Sequence, residues 1–492
     1  MENPNLFSKD IKILKVLNLI TTVFMGIIII AFLNIYEQDL YSIGVISIVL
    51  YIIFFVSWFI QCKDIINFYS IFLLFTYLFY FGQFFLLLVG GNLDYGTTIT
   101  SGILPYKILI KTGSFIISYM IVLHIGVLLS TFNISSYNNN RSNTKSDLNK
   151  SILNNNFKKI GFLLFFISII PSFIILIENI KIMATHGYGA IFQSVRYTSG
   201  GFNNILRFLS LFTIPSFLIL LITCKGDKKL KFINLVIFVY LLLYFFSGSR
   251  LSGVLLLSTL LLIKNHWYIK ISTKSIIKII ILTIVGMTAL SLISAVRNSI
   301  YVSNDVQSLL KETYKQIIDN NPIFSAMKEA GFTFLATATV IAYCPSIIPY
   351  NNGMSYLNSL FMLIPNLFWD VHPAAKTNTD IVFKGFITEY GGIGSSFIAE
   401  SYWNFGGLSI FIALIFGILI GSLTKKILKY SKEGNSIKFY LYIYIAQFSL
   451  FYVRSDTVSF WRNLIYFGIT PIIMVILLSK PKIIKDEKLS EL

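Results

Sequence analysis

The sequence predicts an all-α polytopic membrane protein, with about twelve transmembrane helices and one large external loop. Three observations carry that reading. Mean hydropathy is +0.74 and 13% of residues are charged, where a soluble domain carries about a quarter. The apolar residues come in uninterrupted runs close to the ~20 that cross a bilayer as helix. Lysines fall in the short loops between runs, on alternate sides, as orientation signals do.

Taken in order, the first run, Val16–Ile35, follows Lys9, Lys12 and Lys15 and has no small-residue cleavage site after it. It reads as an uncleaved span with the N-terminus inside. Further spans are drawn at Tyr41–Ile60, Ile66–Val89, Thr112–Phe132, Ile160–Ile177, Arg207–Thr223, Phe232–Phe246, Leu251–Ile263 and Ile276–Ala295. Three more follow at Gly407–Thr424, Phe439–Val453 and Asn463–Leu478, which leaves both termini cytoplasmic. This gives an N-terminal transmembrane bundle over 1–295, a large external loop over 296–406, and C-terminal transmembrane helices with a cytoplasmic tail over 407–492. Within the bundle, 133–156 is rich in Asn, Ser and Lys without periodicity and reads as a disordered cytoplasmic loop. The external loop holds eight carboxylates and two short apolar stretches, Gly331–Ala342 and Tyr356–Phe368, which suit interfacial or re-entrant helices or an extra pair of spans.

A formal charge of +18 is compatible with binding nucleic acid, but no nucleic-acid-binding signature accompanies it. In the twelve-span scheme 25 of 33 Lys lie inside, which accounts for that charge. Arginine divides the other way. Only Arg141 of seven is inside, while Arg196, Arg207, Arg250, Arg297, Arg454 and Arg462 lie outside or at the outer edge. Cys62, Cys224 and Cys344 are too few and scattered for a disulfide framework. There is no P-loop, dinucleotide fingerprint, HExxH or CxxC pair, and no D-x-D on a cytoplasmic loop. An ATP-driven pump and a cytoplasmic sugar-nucleotide enzyme are therefore disfavoured, and neither a cofactor nor a metal site is expected.

Ser247-Gly248-Ser249-Arg250 joins two short spans. Phe232–Phe246 would be roughly 22 Å long as helix, shorter than a hydrocarbon core of about 30 Å. Arg250 is then expected in a sunken, protein-lined or watery cavity, against the plainer reading of an Arg snorkelling to headgroups. Arg454-Ser455-Asp456 repeats the geometry with Arg462 close behind, although Arg454 and Asp456 could simply pair. Arg196 lies in a Gly- and Tyr-rich external loop suited to closing over a ligand, and Arg297 follows a span, where it could be only a helix cap. Guanidinium holds phosphate oxygens bidentately and keeps its charge in any environment, so arginines gathered on one side suit a pyrophosphate.

The last signal is 391–407, which leads into a span and contains Ser396-Phe397-Ile398-Ala399-Glu400-Ser401-Tyr402-Trp403-Asn404-Phe405-Gly406. Glu400, Trp403 and Gly407 share a face if the stretch is helical. A carboxylate beside aromatics at membrane depth could act as a general base on a sugar hydroxyl. Tyr402 and Trp403 read more simply as an interfacial aromatic belt. His372 is the alternative base, in a loop where a structural role competes, and His124 inside a span reads as a satisfied polar group.

Together these features resemble the Wzy-type oligosaccharide repeat-unit polymerases of O-antigen and capsular polysaccharide. The likeness rests on the many spans, the late external loop, the Gly-Ser-Arg turn at Gly248–Arg250, the Ser396–Gly406 motif and Arg454; Leu251 stands where a small residue is expected. It implies a membrane glycosyltransferase fold (GT-C-like) facing the outside of a bacterial cytoplasmic membrane. It also implies an undecaprenyl-pyrophosphate-linked oligosaccharide as donor and a sugar hydroxyl of the next lipid-linked unit as acceptor. By that resemblance Arg250, with Arg196, Arg297 and Arg454, holds the pyrophosphate; Glu400, or failing it His372, is the base; and Tyr402 and Asn404 belong to the glycan site. Membrane lipid, a chain-length regulator and a flippase are the implied partners. An O-antigen ligase using the same donor, and a lipid-linked glycan flippase or other transporter, are the competing readings. An acyltransferase is a third, without support on the cytoplasmic side.

Overall fold

The computed structural model describes residues 4–90, 104–132, 148–186, 201–247, 250–272, 322–364, 369–383 and 394–479, with isolated positions between 274 and 314. Among these the regular structure is helical and no strand occurs. Among the described residues nine helices are long and apolar enough to cross a membrane: Lys12–Ile35, Leu40–Cys62, Phe68–Leu88, Tyr106–Thr131, Ser151–Ile182, Gly201–Thr223, Lys229–Phe246, Phe397–Lys432 and Thr457–Ser479. Each coincides with one of the twelve drawn from sequence. Of the remaining three, Leu251–Ile263 is a helix of 14 residues from Arg250, Phe439–Val453 falls in a helix of 17, and Ile276–Ala295 lies outside the described residues. The stretch 133–156 needs correction at one end, because helix begins at Leu148 and runs unbroken to His186. The Asn-rich composition hid that start, since Asn and Ser are poor but tolerated helix residues.

The chain divides into two compact units that cut across the boundaries at 295 and 406: Met1–Asn140, Ala326–Ile427 and Phe448–Arg462 form one, and Arg141–Ser325, Leu428–Gln447 and Asn463–Leu492 the other.

The first unit begins with α1 (Pro4–Ile35), α2 (Leu40–Cys62), α3 (Phe68–Leu88) and α4 (Tyr106–Thr131). Helices this apolar still need internal polar ties, because unpaired polar groups away from water are costly. His124 of α4 supplies one. Its ring nitrogens lie 2.7 Å from Tyr69 Oη and 3.1 Å from Ser57 Oγ, so it is the satisfied polar group expected of it. Asn18 Nδ2 adds a bond to Ser57 O at 3.0 Å. In the second unit, α5 (Leu148–His186), α6 (Gly201–Ser210), α7 (Thr213–Thr223), α8 (Lys229–Phe246) and α9 (Arg250–Ile263) follow in order. Helix α9 continues through a π-helical turn, Lys264–Tyr268, where Trp267 donates to Ile222 O and stacks on Phe439.

Returning to the first unit, α10 (Pro322–Tyr343) is followed by three short helices, α11 (Met354–Leu360), α12 (Pro373–Lys376) and α13 (Thr379–Val382). Then α14 (Phe397–Phe405) breaks at Gly406 and continues as α15 (Ser409–Lys432). Gly406 has φ 54°, and a Cβ there would stand 2.7 Å from the Tyr350 ring, so the break requires glycine. Helices α16 (Ser436–Tyr452) and α17 (Thr457–Asn463) complete the order, α17 running on as a π-helical stretch to Ile469. The crossing of α15 on α4 is set by bare backbone: a Cβ on Gly417 would fall 2.0 Å from Leu123 O, and one on Gly126 2.5 Å from Leu414 O. Small residues allow such close helix contact in membranes.

Candidate active site

The short helix α14 opens with Ser396 as N-cap, its hydroxyl accepting from Ala399 N–H at 3.0 Å. From there the helical period carries Glu400 into the protein, where it is 1% exposed. A carboxylate at that depth needs donors on both oxygens, and it has them. Oε1 accepts from Ser355 Oγ of α11 at 2.8 Å. Oε2 accepts from the backbone N–H of Thr457 at 3.0 Å, from its hydroxyl at 2.8 Å and from Tyr452 Oη at 3.1 Å. Tyr452 and Thr457 also meet each other, oxygen to oxygen, at 2.6 Å. Asn404, one turn after Glu400, donates to Ser355 Oγ and to Glu400 O, both at 2.7 Å. Its Oδ1 is buried and has no hydrogen-bond partner among the described residues.

The loop that caps this carboxylate is Arg454-Ser455-Asp456-Thr457. Asp456 is buried and does not pair with Arg454. Its Oδ1 accepts from Ser459 N–H at 2.8 Å, capping α17, and its Oδ2 accepts from Asn378 Nδ2. Arg454 is thereby left with no ion pair among the described residues; its guanidinium lies 6.0 Å from the centre of the Phe79 ring. A half-buried guanidinium without a protein anion can take an external one.

The structure brings Glu400, Asn404 and the Arg454 loop together but places other predicted residues elsewhere. Tyr402 and Trp403, read from sequence as an aromatic belt, are 7% and 4% exposed, in a core with Val340, Ile341, Cys344 and Phe383. That reading is corrected: α14 is enclosed by protein on those faces, and Trp403 Nε1 donates to Pro349 O at 3.2 Å. His372 caps α12, Nδ1 accepting from Ala374 N–H and Nε2 lying 3.2 Å from Ile364 O, so both ring nitrogens are engaged by backbone. Arg250 is the first residue of α9, in the second unit. Arg196 and Arg297 lie outside the described residues.

Ser355, Tyr452 and Thr457 are the residues that reading the sequence missed. A partial signal existed, because Ser355 and Ser359 fall at i and i+4 and so share a helix face. Thr457 simply follows the Arg454 motif.

The chain matches the family of the O-antigen polysaccharide polymerase Wzy over residues 16–486. It belongs to that Wzy family. No curated protein and no solved structure shows a match to it. The match takes in both units and every element of the Glu400 network, so a Wzy-family chain here builds a buried polar cluster around one carboxylate and seats on the adjoining loop an arginine with no ion pair among the described residues.

Proposed function

We propose that the protein is a polymerase that joins lipid-linked oligosaccharide repeat units, with undecaprenyl pyrophosphate as carrier, at the outer face of a bacterial cytoplasmic membrane. The observation that carries this reading is the pairing of family membership with the Arg454–Glu400 arrangement. Transfer of a growing glycan from a lipid pyrophosphate to a sugar hydroxyl needs a cation for the leaving diphosphate and an acceptor for the hydroxyl proton. The glycosidic bond to the pyrophosphate breaks, a new one forms to the acceptor oxygen, and the diphosphate leaves with the bonding electron pair.

Arg454 is the cation we assign to the diphosphate, and Arg250, Arg196 and Arg297 keep the same role as part of this proposal. Glu400 is the carboxylate on which the site is built. Among the described residues Oε1 accepts from Ser355 alone and keeps a lone pair for a proton, whereas Oε2 is occupied by three donors. His372 stands second, since a base role there would cost the cap of α12. Tyr402 and Asn404 support the site from inside the protein, Asn404 by orienting Ser355. A chain-length regulator and a flippase would be its partners in the membrane.

The test is a strain deleted for the gene and complemented with Arg454→Ala or Glu400→Ala at matched membrane abundance. The proposal expects surface glycan of single-unit length from both; normal chain-length distributions from both would refute the site.

A further inference from the structure

From Ala330 to Trp369 the chain carries no charged residue, although the sequence reading draws this segment as part of an external loop. Helix α11 and the 3-10 turn Phe361–Leu363 within it have two unlike faces. Toward the protein, Ser355 reaches Glu400, while Tyr356 Oη lies 2.9 Å from Ser401 Oγ with its ring against Phe405 and Phe416. Away from it, Leu357, Leu360, Phe361, Leu363 and Ile364 form an exposed ridge, with Leu357 at 57% and Leu363 at 51%. In water such an uncovered apolar patch is unfavourable.

Two observations say what covers it. Phe416, against which Tyr356 packs, belongs to the membrane-span candidate Phe397–Lys432, whose Phe411, Ile415 and Leu419 are exposed in the same way. Helix α11 is therefore seated on a span candidate whose own exposed surface is apolar in the same way as the ridge. Second, the non-helical approach to α11 has its backbone satisfied by protein: Asn351 N–H donates to Trp403 O at 2.9 Å and Asn352 N–H to Asn404 O at 3.1 Å. Irregular backbone at membrane depth is tolerated only when it is satisfied in this way.

We infer that the Leu357–Ile364 ridge lies in the hydrocarbon of one leaflet, against phospholipid acyl chains, and that α11 is a re-entrant element with lipid on one face and the Glu400 carboxylate on the other. One helix thickness then separates the bilayer from Ser355. That a lipid-linked substrate approaches laterally past α11 rests on the proposed function; the lipid contact itself does not.

The test uses the full chain in phosphatidylcholine nanodiscs, with Cys62→Ser as background because Cys224 and Cys344 are buried. Nitroxides are placed one at a time by Leu357→Cys, Leu360→Cys and Leu363→Cys, with Phe411→Cys as the span reference. Lipid contact predicts relaxation enhancement by oxygen well above that by a water-soluble nickel chelate at all three positions, matching the reference. Nickel enhancement equal to that of oxygen would place the ridge in water, and low values for both would place it under protein; either overturns the inference. Three independent positions keep the result readable if one variant fails to fold, and no polymerase activity is needed.

Discussion

Thr457 is tied to Glu400 twice, through its backbone N–H at 3.0 Å and its hydroxyl at 2.8 Å, both on Oε2. A side chain on α14 thus fixes the first residue of α17, and with it the loop that presents Arg454 three residues earlier. The carboxylate is as much a fastener between helices as a chemical group.

Removing the fastener has a calculable consequence. Glu400→Ala leaves Ser355, Tyr452 and both donors of Thr457 without their acceptor in a buried site. Each buried donor left unsatisfied costs about 1–3 kcal/mol, and several are left at once. Glu400→Gln keeps the volume but turns an amide donor toward donors, and should cost about 1–3 kcal/mol. Thermal unfolding of the detergent-purified variants checks the order wild type, Gln, Ala; an Ala variant as stable as wild type would mean the network does not form.

Asp456 and Asn378 should behave as a pair. Asp456→Ala removes both the cap on Ser459 N–H and the contact with Asn378, whereas Asn378→Ala removes only the second. A double-mutant cycle in unfolding free energy should show coupling of about 0.5–3 kcal/mol. Strict additivity would show that the segment carrying Asn378 is not held by Asp456.

Arg454 is expected to show the opposite pattern, loss of activity without loss of stability. With no ion pair among the described residues, its truncation forfeits only the contact with the Phe79 ring, about 0.5–1 kcal/mol. Arg454→Lys should also fail to make long chains, because a point charge does not reproduce a bidentate fork. Chain-length profiles beside melting curves separate the two effects; a fully active Lys variant would exclude bidentate recognition at this position.

The α4–α15 crossing gives a purely structural prediction. Gly417→Val puts side-chain atoms where Leu123 O stands, and overpacking of that kind costs typically 1–3 kcal/mol. Gly407→Ala, beside the helix break, meets nothing within 4 Å and should be close to neutral. Comparing the two by thermal unfolding controls for the mere presence of an added side chain.

The nine span candidates among the described residues were legible because hydropathy integrates over about twenty residues and tolerates errors in any one. Glu400 and Arg454 were legible because an ionisable residue among apolar ones is conspicuous. Their partners were not, since Ser355 and Thr457 lie 45 and 57 residues from Glu400, and hydroxyl side chains are common in spans for other reasons. Periodicity also cannot tell a helix face that meets lipid from one that meets another helix, so Tyr402 and Trp403 looked like a belt and proved to be core. The possible pairing of Arg454 with Asp456 failed for a related reason: sequence proximity suggested it, while the nearer demands of Ser459 and Asn378 took the carboxylate.

The central claim is tested most directly with purified protein in nanodiscs, supplied with a lipid-pyrophosphate-linked repeat unit and no other protein. The account predicts a ladder of lipid-linked glycans at integral multiples of the unit, absent with Arg454→Ala and Glu400→Ala. A repeat unit that stays single while it crosses the bilayer, or that is transferred once to a different acceptor and never to another unit, would contradict it.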